Sequence, residues 1–162
     1  MFDETILQLA TDVLQACRQR GWKLATAESC TGGLICGALT EIAGSSDVVD
    51  RGFNTYSNDA KIDMLDVPED LFPAVGAVSH EVAHEMALGA LTHSAADISI
   101  SVTGVAGPGA SEAKPTGLVY IGIATRDGLC TVIKSNFTGD RSDVRLATVR
   151  KALSQTLERL SL

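Results

Sequence analysis

The sequence has few aromatic residues, few cysteines and no long hydrophobic run. Phe, Trp and Tyr together make up 4% of the 162 residues, and no apolar stretch approaches the roughly 20 residues of a membrane-spanning helix. The four cysteines form no CxxC pair and have no spacing typical of a zinc site. Met1 is followed directly by a mixed-charge helical pattern, not by a basic and then apolar leader. We therefore expect a cytoplasmic protein with reduced thiols and no membrane contact.

Positive charge and histidine are also scarce. Lys and Arg number 13 against 20 Asp and Glu, which gives a net charge of −7 and no basic cluster, so we expect no nucleic-acid partner. Among the three histidines, His80 and His84 have a spacing that can bind a metal on a helix, but no third ligand accompanies them. We expect no metal. A small anionic ligand stays compatible with the acidic chain, because local amides and one or two cations can outweigh net charge.

The hydrophobic pattern is that of one globular domain over residues 1–162, in which 45% of the residues are hydrophobic. It predicts helices over 3–20, 31–43, 60–65, 79–93 and 140–160, a short helix from 67–70 and a connector at 73–76, with strands over 23–27, 48–56, 98–102, 117–124 and 130–137. Asp127 and Gly128 predict a hairpin between the last two strands. The fold class is therefore α/β, a three-layer α/β/α sandwich whose mixed, mostly parallel sheet has an antiparallel edge hairpin.

Ligands of such sheets bind beyond the carboxyl ends of the parallel strands. Three loops follow those ends, at 27–33, 56–61 and 103–109, and we expect them to converge. Their reactive side chains are Ser29, Cys30, Tyr56, Lys61 and Thr103. The convergence of these loops is the reason to expect a site here.

The first loop joins a strand to a helix and contains two glycines. The amides of Thr31, Gly32 and Gly33 are predicted to lie at the helix N-terminus, where they favour a phosphate or the oxyanion of an attacked carbonyl. Turns of Ser, Thr and Gly are also common structural N-caps, so this stretch alone leaves both interpretations open.

The reactive groups favour a Ser-Lys pair over a Ser-His-Asp triad, since no histidine lies near these loops. Lys61 must lose its proton to accept one from Ser29, which requires a pKa several units below normal. Tyr56 could relay the proton or orient the lysine. In the alternative, Lys61 is a surface cation and Tyr56 an edge-strand residue, and spacing alone favours that alternative.

Five motifs, in this order, resemble the CinA C-terminal domain family over nearly the whole chain. They are residues 26–33 (TAESCTGG), 52–61 (GFNTYSNDAK), 76–79 (GAVS), 103–108 (TGVAGP) and 139–141 (GDR). Active members of the family hydrolyse the carboxamide of nicotinamide mononucleotide to nicotinic acid mononucleotide and ammonia. The chain resembles the stand-alone form of the domain.

The resemblance implies a role for each residue at a matching position. It implies that Ser29 is the nucleophile, Lys61 the general base and Tyr56 a helper in proton transfer. It implies a nucleotide substrate and no cofactor or metal. The substrate-binding residues expected from the resemblance and the loop geometry are Cys30, Thr31, Gly32, Gly33, Thr103, Gly104, Gly107 and Arg141, the last for the phosphate or ribose.

The sequence departs from the family in one place and leaves other hypotheses open. The stretch 107–115 is one residue shorter than usual, which leaves the role of Lys114 undefined. A non-catalytic nucleotide-binding or regulatory module could use the same loops, and Cys30 could replace Ser29 as the nucleophile. The apolar helices at the two ends of the chain could form an interface, and we expect a homo-oligomer, most simply a dimer.

Overall fold

The computed structural model describes residues 2–162, which form five strands and six α-helices. In chain order these are α1 (Glu4–Arg20), β1 (Leu24–Glu28), α2 (Leu34–Thr40), β2 (Val49–Asn54), α3 (Asn58–Leu65), α4 (Leu71–Val75), α5 (His80–Thr92), β3 (Ile98–Gly104), β4 (Leu118–Thr125), β5 (Cys130–Asn136) and α6 (Arg141–Leu160). A short 3-10 turn, Ser45–Asp47, precedes β2. Within the described residues, none of the helices is both long and apolar enough to cross a membrane.

All five strands belong to one sheet in the order β2-β1-β3-β4-β5. Strand β1 runs parallel to β2 and β3, whereas β4 is antiparallel to β3 and β5. The predicted mixed sheet with its antiparallel hairpin is therefore confirmed. The carboxyl ends of the three parallel strands meet at one edge of the sheet, which is the edge where a ligand site is expected.

Helices cover both faces of the sheet, as the three-layer prediction requires. Helices α1, α2 and α6 pack on one face around a core that includes Leu14, Ile35 and Leu153. Helix α5 packs on the other face, with α3 and α4 against it. Two buried serines of β3 face α5. The Ser99 hydroxyl donates to the Ala87 carbonyl at 2.7 Å, and the Ser101 hydroxyl donates to the Ala83 carbonyl at 2.6 Å. These short side chains let α5 lie close to the sheet.

Several predicted element boundaries differ from the structure, and those of α2 and α4 show why. Helix α2 begins at Leu34, three residues later than predicted, because Gly32 and Gly33 adopt positive φ angles of 61° and 95°. Helix α4 lies at Leu71–Val75 and includes most of the predicted connector at 73–76. Pro73 is the third residue of that helix, where the missing N–H would have had no helical acceptor in any case.

Helix α3 is held against α5 by a close backbone approach at Gly89. A Cβ atom at this glycine would lie 2.0 Å from the carbonyl oxygen of Leu65, the last residue of α3. No side chain can occupy that space unless one of the helices moves. The position of α3, and with it that of Lys61, is therefore set by contact with α5.

Candidate active site

The three loops predicted to converge do converge, at the carboxyl ends of β1, β2 and β3. Main-chain hydrogen bonds continue past the strand ends: the Ser29 amide donates to Val102 at 3.1 Å, and the Thr55 amide donates to Glu28 at 2.8 Å. Together the loops enclose a cavity of about 310 Å³. Its walls are Ser29, Cys30, Tyr56, Asn58, Lys61, Ala77, Val78, residues 103–112 and Arg141.

Lys61 is 1% exposed and is one of the largest fully buried side chains of the protein. It is the fourth residue of α3, whose first turn is capped by the Ser57 hydroxyl accepting from the Ala60 amide at 3.0 Å. Its Nζ lies 3.0 Å from the Ser29 Oγ and 2.8 Å from the Thr55 carbonyl oxygen. The Tyr56 and Ser57 carbonyl oxygens each lie 3.4 Å from the same nitrogen. The structure therefore contradicts the alternative in which Lys61 is a surface cation.

Within the described residues, no carboxylate forms an ion pair with Lys61. Burial lowers its pKa from 10.5 to about 8, while the more distant Cys30 and Glu112 act in the opposite direction. A buried amine without a counter-charge loses its proton more easily because burial penalises the charged form. Once neutral, Nζ can donate to two of the surrounding carbonyls and accept the hydroxyl proton of Ser29.

The start of α2 does not provide the predicted anion site. The Glu28 carboxylate, 1% exposed, accepts from the Ile35 and Cys36 amides at 2.9 and 2.8 Å and from the Thr31 hydroxyl at 2.6 Å. The protein's own anion thus occupies the positive end of the helix. A substrate phosphate or an oxyanion has no access to these donors.

The three residues expected to bind substrate at this helix start therefore lie elsewhere. Thr31 is fully buried against Glu28. The Gly32 amide donates to the Ser29 carbonyl at 3.0 Å and so closes the turn. Gly33 lines a separate cavity of about 250 Å³ behind the turn. Thr31, Gly32 and Gly33 thus do not line the main cavity, and their contact with the substrate stays a prediction.

The other residues expected to bind substrate all line the cavity: Cys30, Thr103, Gly104, Gly107 and Arg141. The Thr103 hydroxyl donates to the Ala77 carbonyl at 2.7 Å and fixes the cavity wall. Arg141 is exposed, and its guanidinium donates to the Gly107 carbonyl at 2.6 Å and to the Tyr56 hydroxyl at 3.1 Å. It is the arginine at the cavity mouth.

Tyr56 approaches Lys61 through its backbone, not through its phenol. The phenol side chain is 64% exposed and its oxygen accepts from Arg141, whereas the Tyr56 carbonyl lies 3.4 Å from the Lys61 nitrogen. The hydroxyl is therefore placed at the mouth of the cavity, away from the Ser29–Lys61 hydrogen bond. Its predicted help in proton transfer stays a prediction.

Cys30 has the properties of a buried thiol. Its side chain is 6% exposed, and burial raises its pKa to about 12. A thiol reacts as the thiolate, and this one is protonated at neutral pH. The geometry therefore favours Ser29 over Cys30 as the nucleophile.

Sequence reasoning missed three charged residues around the site. Glu28 and Arg145 hold the turn that carries Ser29, and Glu112 lines the cavity and accepts from the Ala77 amide at 3.0 Å. The sequence signal for Glu28 was its position directly before the turn, but nothing local distinguished Arg145.

Lys114, whose role the sequence left undefined, has a structural contact. It donates to the carbonyls of Val75 and Val78 and so ties its loop to the chain.

The two histidines that have metal-binding spacing, His80 and His84, lie on α5 and its first turn. The rings of His80 and His84 stack with their centroids 6.5 Å apart. Across residues 2–162, no three His, Cys, Asp or Glu side chains are grouped so as to hold a metal ion.

The family model of the CinA C-terminal domain matches residues 6–160. The chain belongs to the CinA C-terminal domain family. The CinA relative named nicotinamide-nucleotide amidohydrolase PncC from Enterobacter agglomerans is 47% identical over 158 residues, which are 97% of this chain and 96% of the relative. A Caldicellulosiruptor saccharolyticus relative whose name calls it competence-damage inducible is 53% identical over 142 residues, or 87% of this chain. The chain spans only 34% of that relative.

A solved CinA structure has the same fold over the whole length of the chain. The crystal structure of the competence/damage inducible protein CihA from Agrobacterium tumefaciens has a TM-score of 0.95 and 48% identity, and the match covers 100% of this chain and 99% of that one. The CinA family thus includes both short proteins of this length and longer ones that carry the domain as one part.

Proposed function

We propose that this chain hydrolyses the carboxamide of nicotinamide mononucleotide, releasing nicotinic acid mononucleotide and ammonia. The observation that carries the proposal is the buried Lys61 amine, 3.0 Å from the Ser29 hydroxyl and without a carboxylate partner among the described residues. The substrate comes from the name of the full-length relatives, nicotinamide-nucleotide amidohydrolase. A module that only binds a nucleotide has no need of a buried base beside a hydroxyl.

The reaction begins with Lys61 as a neutral amine. Nζ takes the hydroxyl proton of Ser29 as Oγ attacks the carboxamide carbon, which forms a tetrahedral oxyanion. The Lys61 ammonium then gives that proton to the departing nitrogen. Ammonia leaves, and the nicotinoyl group stays on Ser29 as an ester.

Water completes the cycle. Lys61, neutral again, takes a proton from the water that attacks the ester carbonyl, and returns it to the Ser29 oxygen as the acid leaves. The same nitrogen thus serves as base and acid in each half of the reaction. No proton is left over, and Ser29 and Lys61 return to their starting forms.

The oxyanion needs a donor other than the start of α2. We assign this role to the Cys30 amide, which belongs to the residue after the nucleophile, as the oxyanion donor of many serine hydrolases does. Cys30 lines the cavity, and across residues 2–162 no backbone carbonyl accepts a hydrogen bond from its amide. Arg141, at the cavity mouth, is assigned to the phosphate or ribose of the substrate.

Ammonia release from nicotinamide mononucleotide, with no metal added, tests the proposal. We expect wild-type turnover, a loss of at least about a hundredfold in Ser29→Ala and Lys61→Ala, and retained turnover in Cys30→Ala. Circular dichroism checks that each variant folds. Nucleotide binding by the wild type without turnover would support the binding module instead, and turnover that survives Ser29→Ala but not Cys30→Ala would assign the nucleophile to Cys30.

We further propose that the single domain works in the cytoplasm as a homo-oligomer that does not bind nucleic acid. The four cysteines are free thiols, which suits a reducing compartment, and the net charge of −7 disfavours contact with phosphate backbones. Light scattering of the purified protein measures the assembly. A monomer at micromolar concentration, or a band shift with duplex DNA at physiological salt, would contradict these points.

A further inference from the structure

The turn that carries Ser29 is held from α6 by Arg145. The guanidinium donates from Nε to the Cys30 carbonyl at 3.2 Å and from Nη2 to the Thr31 carbonyl at 2.9 Å. The two acceptors belong to the two residues after the nucleophile. Arg145 lies 115 positions from Cys30 in the chain, so only the folded protein brings them together.

Arg145 is committed to these two carbonyls. Across residues 2–162 it forms no ion pair with a carboxylate, whereas Arg150, five residues further along α6, pairs with Asp3 at the surface. Arg145 is half-buried and does not line the cavity. Because a planar guanidinium presents several donors in a fixed fork, it can hold two successive carbonyls in one orientation, whereas the freely rotating ammonium group of a lysine imposes no such plane.

Glu28 holds the same turn from the opposite side. Its carboxylate binds the Thr31 hydroxyl and two amides of α2, while Arg145 binds the Thr31 carbonyl. Thr31 is thus fixed at its hydroxyl by an anion and at its carbonyl by a cation. The Ser29 hydroxyl lies two residues before this point, 3.0 Å from the Lys61 nitrogen.

We propose that Arg145 is a positioning residue that keeps the Ser29 hydroxyl within hydrogen-bond reach of Lys61. The proposal rests on the function proposed above, in which Ser29 is the nucleophile. A displacement of about 1 Å from the productive geometry can reduce a rate by about a hundredfold. Since Arg145 does not line the cavity, its loss slows the chemistry and leaves substrate affinity nearly unchanged.

The test compares Arg145→Met and Arg145→Lys with Arg150→Met. The last variant removes an arginine of the same helix that pairs with Asp3 and is the matched control. We expect kcat for nicotinamide mononucleotide to fall by about tenfold to a hundredfold in Arg145→Met, with KM within about threefold of wild type on the same basis. Arg145→Lys keeps the charge and is expected to recover only part of the loss, and Arg150→Met is expected to behave as wild type.

A second measurement separates this proposal from the choice of substrate. A fluorophosphonate that labels activated serines is added to each variant, and the rate of mass gain at Ser29 is followed by mass spectrometry. Slow labelling of Arg145→Met beside rapid labelling of the wild type supports positioning even if nicotinamide mononucleotide is not turned over. Absence of labelling in the wild type would overturn both the nucleophile and its positioning.

Three further results would overturn the proposal. The first is wild-type kcat and labelling in Arg145→Met. The second is an equal loss in Arg150→Met, which would show a general effect of α6. The third is a raised KM with unchanged kcat, which would make Arg145 a substrate contact. If Arg145→Met does not fold, full activity in a folded Arg145→Lys would overturn the need for the paired carbonyl contacts.

Discussion

Glu28 and Lys61 are two buried charged residues at the same edge of the sheet, and their surroundings are opposite. The Glu28 carboxylate accepts three hydrogen bonds from the chain around it. The Lys61 nitrogen has only neutral oxygens as neighbours, and burial lowers its pKa to about 8. The charge of Glu28 is satisfied by hydrogen bonds and stabilises a turn. The charge of Lys61 is poorly compensated, and this is the property that a general base needs.

The comparison is tested most strongly by Lys61→Met, which removes the amine and keeps most of the side-chain volume. We expect a loss of kcat of about 10² to 10⁴-fold, the range of one general acid–base group. The assay is ammonia release. The control is Lys23→Met, which removes a surface lysine that donates to the Asp47 carbonyl. An active Lys61→Met enzyme would show that the base is another group.

The same substitution is expected to make the protein more stable near pH 7. The Lys61 pKa is lowered on folding from 10.5 to about 8, so the folded state holds the charged form at a cost of about 3 kcal/mol. Met carries no such cost, although it loses the hydrogen bonds of the amine. Urea unfolding measures the gain, and a clear loss of stability would show that the charged lysine is well satisfied.

Glu28→Gln is expected to have the opposite effect on stability. The amide keeps one acceptor oxygen but turns an NH₂ group toward backbone donors, and we expect a loss of about 2 to 3 kcal/mol. Activity should fall as well, because the Ser29 turn loses an anchor. The control is the exposed Glu41→Gln. An unchanged midpoint of urea unfolding would show that Glu28 is not needed to hold α2.

The pH dependence of activity and of stability tests the pKa of Lys61. Lys61 acts as a base only when it is neutral, so kcat/KM should rise with pH and level off above about 8, its pKa in the folded protein. Between about 8 and 10.5 the unfolded state binds more protons than the folded state, so this lysine makes the wild type more stable as pH rises. The stability advantage of Lys61→Met should shrink across the same window. A constant advantage would contradict the assigned pKa.

The smallest effect is expected for Tyr56→Phe. The phenol oxygen contacts Arg141 at the mouth and does not contact Ser29 or Lys61, and the carbonyl near Lys61 remains. We expect kcat to fall by less than about tenfold, well below the effect of a general base. A loss of a hundredfold or more would show that the hydroxyl reaches the reacting atoms once substrate is bound.

The sequence was sufficient for the sheet and for the meeting of its loops. Strand alternation, helical spacing and the Asp-Gly turn are local properties, and the rule that ligands bind at the carboxyl ends of parallel strands placed Ser29 and Lys61 at one edge. It was not sufficient for the start of α2. The rotamer that turns the Glu28 carboxylate back onto amides seven and eight residues later leaves no mark on hydrophobic periodicity.

The burial of Lys61 could not be predicted for a related reason. A lysine near the start of a short helix is locally a surface residue, and only the tertiary fold, which brings its amine against Ser29 and the Thr55 carbonyl, removes it from water. Arg145 was missed because its acceptors lie 114 and 115 residues away. Both cases depend on tertiary contacts between elements far apart in the chain.

The close approach at Gly89 means that a substitution outside the cavity can remove activity. Gly89 lies on α5 against the Leu65 carbonyl at the end of α3, and it does not line the cavity. Replacement by alanine adds one methyl group that can be accommodated only if α3 and α5 shift relative to each other, and α3 carries the base. Random mutagenesis is therefore expected to recover inactive proteins in which every site residue is intact. Their substitution would lie at Gly89, which inspection of the cavity would not identify.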